Sequence, residues 1–395
     1  MQYKASSLWG YSHMRRNYVV CVLGWIAGGL LLAAEPGVQV IDLNAQVQRQ
    51  VVVDREAGQY LGHPTTCLLE DGQTILCVYP KGHGRGGIVY KRSADGGLTW
   101  SERLETPDSW ATSREVPTLH RVVGSDGIKR LIMWSGLFPA RLAVSEDDGL
   151  TWSELSTVGN WGGIVVMGFV ERVGSPAGRY MAMFHDDGRF FTEQPNSQRV
   201  FTLYKTFSVD GGLTWSFPDP VFSSAEIHLC EPGCIRSPDG KRLAVLLREN
   251  ARRKNSHIIF SEDEGLNWSE PKELPLELTG DRHIGRYAPD GRLFLSFRCR
   301  SPTDRVEERP FEGDWVGWVG TWDDLVTGAP GQYFVRLKDN LQGYDTAYPG
   351  LELLPDGTFV VTTYGHWDVA EEPYILSVQL RLGELDRMAG QPGTR

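Results

Sequence analysis

The chain has 395 residues, is 41% hydrophobic and 23% charged, and carries a formal net charge of −10. That is the composition of a globular protein long enough for one large domain or two. Its acidity argues against a nucleic-acid partner, which needs a basic footprint, but stays compatible with an anionic sugar, because a pocket can be locally basic on an acidic protein.

The first 34 residues stand apart. Arg15 and Arg16 precede an uncharged run from Asn17 to Ala34. A basic stretch before a short apolar one reads as a secretory signal peptide, which predicts a secreted or periplasmic protein. An uncleaved membrane anchor is the competing reading, although the run is slightly short for a span. Beyond it, 37 basic residues face 50 acidic ones. Cys67 and Cys77 flank a hairpin, TTCLLEDGQTILCVY. Such a pair is either a disulfide of an exported protein or two buried thiols. Cys230-x3-Cys234 lacks a partner pair at zinc-ligand spacing, so neither a metal nor another cofactor is expected.

Two series of turns then run along the chain. The octapeptide SADGGLTW (93–100) returns as SEDDGLTW (145–152), SVDGGLTW (208–215) and SEDEGLNW (261–268), at intervals of 52, 63 and 53 residues. Its D-x-G core suits a tight hairpin, since glycine supplies positive φ and aspartate bonds nearby amides. The second series holds Asp71-Gly72, Asp126-Gly127, Asp239-Gly240, Asp290-Gly291 and Asp356-Gly357, with SPAGRY (175–180) in the remaining place. Apolar strands flank each turn. Six repeats of two hairpins predict six four-stranded antiparallel sheets packed radially: an all-β, six-bladed β-propeller over residues 40–385, with 386–395 as a tail. The last repeat is one strand short. VIDLNAQVQRQVVV (40–53) is available to close it.

This topology sends both turn series to one face. The loops before each first strand and after each second strand go to the other. There the sequence places His63, Arg114-Glu115, Trp161, Glu231, Asp281-Arg282-His283 and Tyr348, and then His83 and Arg85, Trp134, His185-Asp186, Arg248, Arg298 and His366-Trp367. Charged, imidazole and aromatic groups crowd these loops, as expected of a site carried by a rigid scaffold.

The octapeptide matches the Asp-box, S-x-D-x-G-x-T-W, and the chain thereby resembles the sialidase superfamily. The resemblance implies a six-bladed propeller and a glycan-processing site. AYPGLELLPDGT puts Tyr348 in the place of that family's catalytic tyrosine. CEPGCIRSPDGKRLAVLLREN puts Glu231 in the place of its tyrosine-activating glutamate, and Arg248 in that of a carboxylate-binding arginine. For a further arginine of that triad Arg298 is the first candidate, with Arg282 and Arg114 behind it. Two family positions are altered. GHPTT sets His63 where Y/F-R-I-P supplies the first arginine. The loop KGHGRGG has no carboxylate where the family keeps its acid aspartate; His83 and Arg85 are its functional groups. His83 can replace the acid, because either of its proton states is accessible near neutral pH, and Asp281 is a second candidate.

Three functions remain open on this reading. The first is an exported hydrolase removing a terminal acidic sugar, exo-sialidase-like. The second is a polysaccharide lyase, with His83 or Tyr348 moving the α-proton of a uronate. The third is a non-catalytic glycan-binding propeller. The partner in each case is an acidic glycan, and no membrane is involved beyond the N-terminal segment. Oligomeric state is not legible.

Overall fold

The structure, a computed structural model, describes residues 38–174, 178–190 and 200–390. Residues 1–37, which include the expected leader, residues 175–177 of SPAGRY and the last five residues of the expected tail lie outside the described residues.

Six antiparallel sheets stand around an axis as the sequence predicts. Their first strands are Thr65–Leu68, Pro117–Val123, Ile164–Arg172, Leu229–Arg236, Gly280–Tyr287 and Gly350–Leu353. Each touches the first strand of the blade on either side, so these six form a closed inner ring. The second strands are the most apolar. They bury both faces, because each blade is covered by a neighbour on each side. Alternation then assigns residues by parity. In blade 2, Leu131 and Met133 pack toward blade 1, while Ile132 and Trp134 pack toward blade 3. Six separate apolar clusters result, one at each blade boundary.

The N-terminal segment does more than complete the last blade. Gln50–Asp54 pairs antiparallel with Tyr374–Leu380 and is the outer strand of blade 6. Just before it, Gln39–Asp42 pairs in parallel with Tyr333–Lys338, giving blade 5 a fifth strand. Blade 1 has three strands, Thr65–Leu68, Ile75–Pro80 and Ile88–Ser93. Its outer edge is partly covered by the amides of Ser101 and Leu104, which donate to the carbonyls of Arg92 and Tyr90 at 2.8 and 2.9 Å. A short helix, Leu382–Met388, runs on past the predicted end of the propeller at 385.

All four Asp-boxes follow a third strand, on the face of the Asp-Gly hairpins. The amide of Gly96, for example, donates to the carbonyl of Gln73 in the hairpin beside it at 2.8 Å. Within the box, Ser93 donates to Asp95 Oδ1 at 2.8 Å, the Thr99 amide donates to Oδ1 at 2.9 Å and the Thr99 hydroxyl donates to Oδ2 at 2.5 Å. Asn267 preserves this pattern in the last box by donating from Nδ2 to Asp263 Oδ2 at 2.7 Å. Cys67 and Cys77 are free thiols. Cys77 stands opposite Thr66 rather than Cys67, and a one-residue offset turns side chains to opposite faces of a sheet, which accounts for the absence of a bridge.

Burial alone would raise the Asp95 carboxyl. The bonds from Thr99 and Ser93 outweigh it and hold the group below its ordinary value. Asp95→Ala is expected to lower unfolding free energy by about 1–3 kcal/mol, the loss of several shared hydrogen bonds, measured by urea denaturation. The loss is present above the unfolded carboxyl's pKa of about 3.9 and vanishes as pH falls through the lowered folded value.

Candidate active site

On the face away from the Asp-boxes, the backbone enters four of the first strands through a kink. His63, Glu231, Arg282 and Ala347 have φ of 54°, 52°, 57° and 53°. Residues with a Cβ avoid this region, and such strain concentrates at functional sites. In blades 4 and 5 the kink begins a bulge, between Cys230 and Gly233 and between Asp281 and Ile284. A bulge re-aims side chains that a regular strand would alternate.

Three residues from blades 4 and 6 meet there. The Tyr348 hydroxyl donates to Glu231 Oε1 in a short hydrogen bond. Arg248 Nη1 donates to the same oxygen at 2.5 Å and to the Tyr348 oxygen at 3.4 Å. The second carboxylate oxygen of Glu231 has no hydrogen-bond partner among the described residues. Tyr348 is 8% exposed and Glu231 4%. Burial, helped by the Glu231 charge, raises the phenol far above its ordinary value, so it stays protonated. Burial would raise Glu231 as well, but Arg248 and Arg298 overcome this and keep it ionised. The His185 ring accepts the Glu231 amide at 3.4 Å. Burial drives that imidazole down to about 4, so it is neutral and can accept.

Asp281 sits beside this group at 0% exposure. Arg298 reaches its Oδ2 with Nε at 2.7 Å and Nη2 at 2.6 Å. Arg252 takes both oxygens, at 2.7 and 2.8 Å, and Arg248 Nε stands 3.4 Å from Oδ1. Burial opposes ionisation, yet Arg248, Arg298 and Arg252 together hold the carboxyl well below the usual range. That is the reverse of what a proton donor needs, and it corrects the expectation of Asp281 as an acid. Arg298 is likewise committed, with Nη1 on the Tyr344 carbonyl at 2.6 Å and its guanidinium 5.6 Å from the centre of the Tyr348 ring. Arg282 is different. Its Nη2 reaches the Met167 carbonyl at 3.4 Å, and its Nη1 has no hydrogen-bond partner among the described residues. It lines a cavity of about 140 Å³ bounded by the first strands of all six blades, with Thr66, His120, Gly233 and Arg286.

A second cluster spans blades 6 and 1. The His63 ring lies 4.5 Å from those of Tyr348 and Tyr364. Its Nδ1 accepts the Gly84 amide at 3.2 Å, which leaves the proton on Nε2, 3.1 Å from the Tyr364 hydroxyl. Burial, then the neighbouring His83, keep this ring neutral. His63 therefore contributes no positive charge here. Tyr364 in turn donates to Asp345 Oδ1 at 2.9 Å. Asp345 also accepts the Tyr60 hydroxyl at 2.9 and 2.8 Å and lies 3.2 Å from His83 Nδ1. Against burial, the bonds from His83, Tyr60 and Tyr364 hold Asp345 far below its ordinary value. The His83 side chain is 66% exposed and rests on Tyr60 Oη at 2.8 Å.

Other expected residues stay outside this centre. Arg85 is exposed and makes no side-chain bond among the described residues. Arg114 is exposed and donates to the Phe138 carbonyl at 3.2 Å. Trp134, Trp161 and Trp367 are buried in the blade-boundary clusters and serve packing. Sequence reasoning missed Asp345, Tyr60, Tyr364 and Arg252. Asp345 stands three residues before Tyr348, Tyr364 two before His366 and Arg252 four after Arg248, so each was next to a residue already singled out.

A model of the BNR repeat-like domain matches residues 128–306. No curated protein matches the sequence. Among solved structures, a protein of unknown function from Dyadobacter fermentans superposes with a TM-score of 0.64 at 17% identity, over 84% of this chain and 98% of that one. The intramolecular trans-sialidase of Ruminococcus gnavus gives 0.55 at 15% identity, over 82% and 95%. The Hadza microbial sialidase Hz136 gives 0.56 at 17%, over 82% and 66%. The chain shares its six-bladed β-propeller fold with these structures and carries BNR-like repeats over the matched residues. At these identities the likeness is one of fold.

Within this propeller, the fully buried Asp281 gives a direct test of the arginine cluster. Asp281→Ala would strand three guanidinium groups around an empty place. Removing one partner of a buried ionic cluster costs about 3–5 kcal/mol, and urea denaturation at neutral pH should show a loss of that size. The contribution is present above the unfolded aspartate's pKa of about 3.9 and is lost as pH falls through the depressed folded value. Wild type and variant should therefore converge only in strong acid.

Proposed function

We propose that this propeller is a sialidase-like glycoside hydrolase that removes a terminal acidic sugar from a glycan, with Tyr348 as nucleophile and Glu231 as its base. The observation that carries this reading is the Tyr348–Glu231 hydrogen bond with Arg248 donating to both oxygens. A phenol is too weak an acid to attack as a free phenolate here. An ionised carboxylate already bonded to its proton can take that proton as the bond to carbon forms. A neutral nucleophile also suits an anomeric centre that carries a carboxylate, which would repel an anionic one.

The substrate carboxylate would meet Arg248 and Arg282. Arg248 already bonds the Tyr348 oxygen, and Arg282 Nη1, which has no acceptor among the described residues, belongs to a group that feels Glu231 and Tyr348 electrostatically. Arg298 and Arg252 act through Asp281, stiffening the wall behind Arg248. The structure from Ruminococcus gnavus was solved with oseltamivir carboxylate, a carboxylate-bearing ligand, which supports a glycan of this class. The leader over residues 1–34 supports export. N-terminal sequencing of the protein recovered outside the cytoplasm would locate the cut, and an intact leader on membranes would mark an anchor instead.

Incubation with a fluorogenic sialoside and a panel of acidic oligosaccharides tests the reaction. Release of a reducing sugar is expected. Absorbance from an unsaturated uronate would mark a lyase, and binding without turnover a glycan-binding propeller. Tyr348→Phe should lower kcat/KM by about 10³-fold or more and Glu231→Gln by about 10²–10⁴-fold, the latter with a lowered melting temperature because its buried pairing with Arg248 loses a charge. Full hydrolytic activity in Tyr348→Phe would overturn the nucleophile.

A further inference from the structure

The reading above leaves the leaving group without a proton donor. The loop at 81–87 holds no carboxylate, Asp281 is enclosed by arginines, and Asp345 is held by two tyrosines and His83. One carboxyl near the site is bound by none of these. Glu115 stands two residues before the first strand of blade 2. A methyl carbon on Gly84 would come within 2.9 Å of its Oε1, so the carboxyl lies directly over the backbone of the His83 loop. Gly84 is in turn the residue whose amide holds His63, and His63 packs on Tyr348. Glu115 is thus linked to Tyr348 through Gly84 and His63. Its only side-chain bond among the described residues is from its neighbour's amide, Val116, to Oε1 at 3.0 Å. The loop carrying it is fixed by Ser113, whose hydroxyl donates to the Glu115 carbonyl at 3.0 Å and contacts Ser135 Oγ at 3.0 Å.

We infer that Glu115 is the general acid of this site, protonating the glycosidic oxygen as Tyr348 attacks. This rests on the hydrolase reading. The Tyr348 oxygen forms a bond to the anomeric carbon while its proton passes to Glu231. The bond from that carbon to the aglycone oxygen breaks, its electron pair goes to the oxygen, and the oxygen takes the Glu115 proton. In the second half, the Glu115 carboxylate takes a proton from water as the water oxygen bonds to the anomeric carbon. The tyrosyl C–O bond then breaks and its oxygen recovers the proton held by Glu231.

The surroundings of Glu115 suit this role. Burial raises its carboxyl to about 6, against the Val116 amide and the charges of Arg189 in blade 3 and His83 in blade 1, and with that of Glu231 in blade 4. A group tuned there is protonated for a useful fraction of the time near neutral pH.

The test compares two probes, 3′-sialyllactose with its poor leaving group and 4-methylumbelliferyl sialoside with its good one, on wild type, Glu115→Gln and Tyr348→Phe. Glu115→Gln should lose about 10²–10⁴-fold on sialyllactose and less than about tenfold on the fluorogenic probe. The wild-type fall in kcat/KM for sialyllactose above about pH 6, where Glu115 gives up its proton, should be absent in Glu115→Gln. Equal losses on both probes, or none, would overturn the assignment while leaving the hydrolase reading intact. Activity in Tyr348→Phe would remove the nucleophile and leave the leaving-group test of Glu115 standing. A wild type that cleaves neither probe would remove the reading and the inference together. Glu115→Asp, which keeps the carboxyl but withdraws it, serves if Glu115→Gln melts early, and should show the same dependence on leaving group.

Discussion

Closure of the ring is the constraint on which the rest depends. Blade 6 is completed by a strand from the other end of the described chain, Gln50–Asp54 against Tyr374–Leu380. That pairing places Val53 at the boundary of blades 6 and 1, in the apolar cluster with Tyr79, Tyr348 and Tyr364. His63 and Tyr348, 4.5 Å apart across that seam, owe their contact to it. The parallel strand Gln39–Asp42 on blade 5 adds a second attachment next to the first. The seam is thus held by backbone pairing on two neighbouring sheets.

The two faces divide the labour. Asp-boxes and Asp-Gly hairpins satisfy their own amides locally, and their carboxylates sit at low pKa because hydroxyl and amide donors surround them. The opposite face spends backbone strain and buried charge. Four left-handed residues turn the chain at the mouths of first strands, and the Asp281 cluster binds three arginines where solvent cannot reach. Such a cluster adds little net stability, since desolvation offsets most of the Coulomb attraction. Its value is geometric: Arg248 is held where it can bond Tyr348 and Glu231 at once.

The periodic features were the most legible in the sequence. Turn residues at fixed offsets counted the blades, and topology then named the loops of the working face, so Tyr348, Glu231 and Arg248 were found together. What escaped was pairing across blades. Nothing in GYDTAYPG says that Asp345 will accept bonds from Tyr60 and Tyr364, because one partner comes from the far end of the chain. Asp281 was read as an acid because a loop carboxylate is usually free to hold a proton. Three arginines converging from separate segments reverse that, and convergence leaves no mark in local spacing. The tryptophans were misplaced for a related reason: a residue next to a loop can point along the sheet into the blade boundary as readily as out of it.

The Tyr348–Glu231 bond joins residues 117 positions apart, and the histidine packed on it enters from the opposite end of the domain. During synthesis, blades 1 to 5 can form their sheets while the tyrosine is still unmade. Tyr348 is covered only once blade 6 packs against blade 1. The site is therefore the last thing the polypeptide acquires, and its appearance reports that the circle has closed.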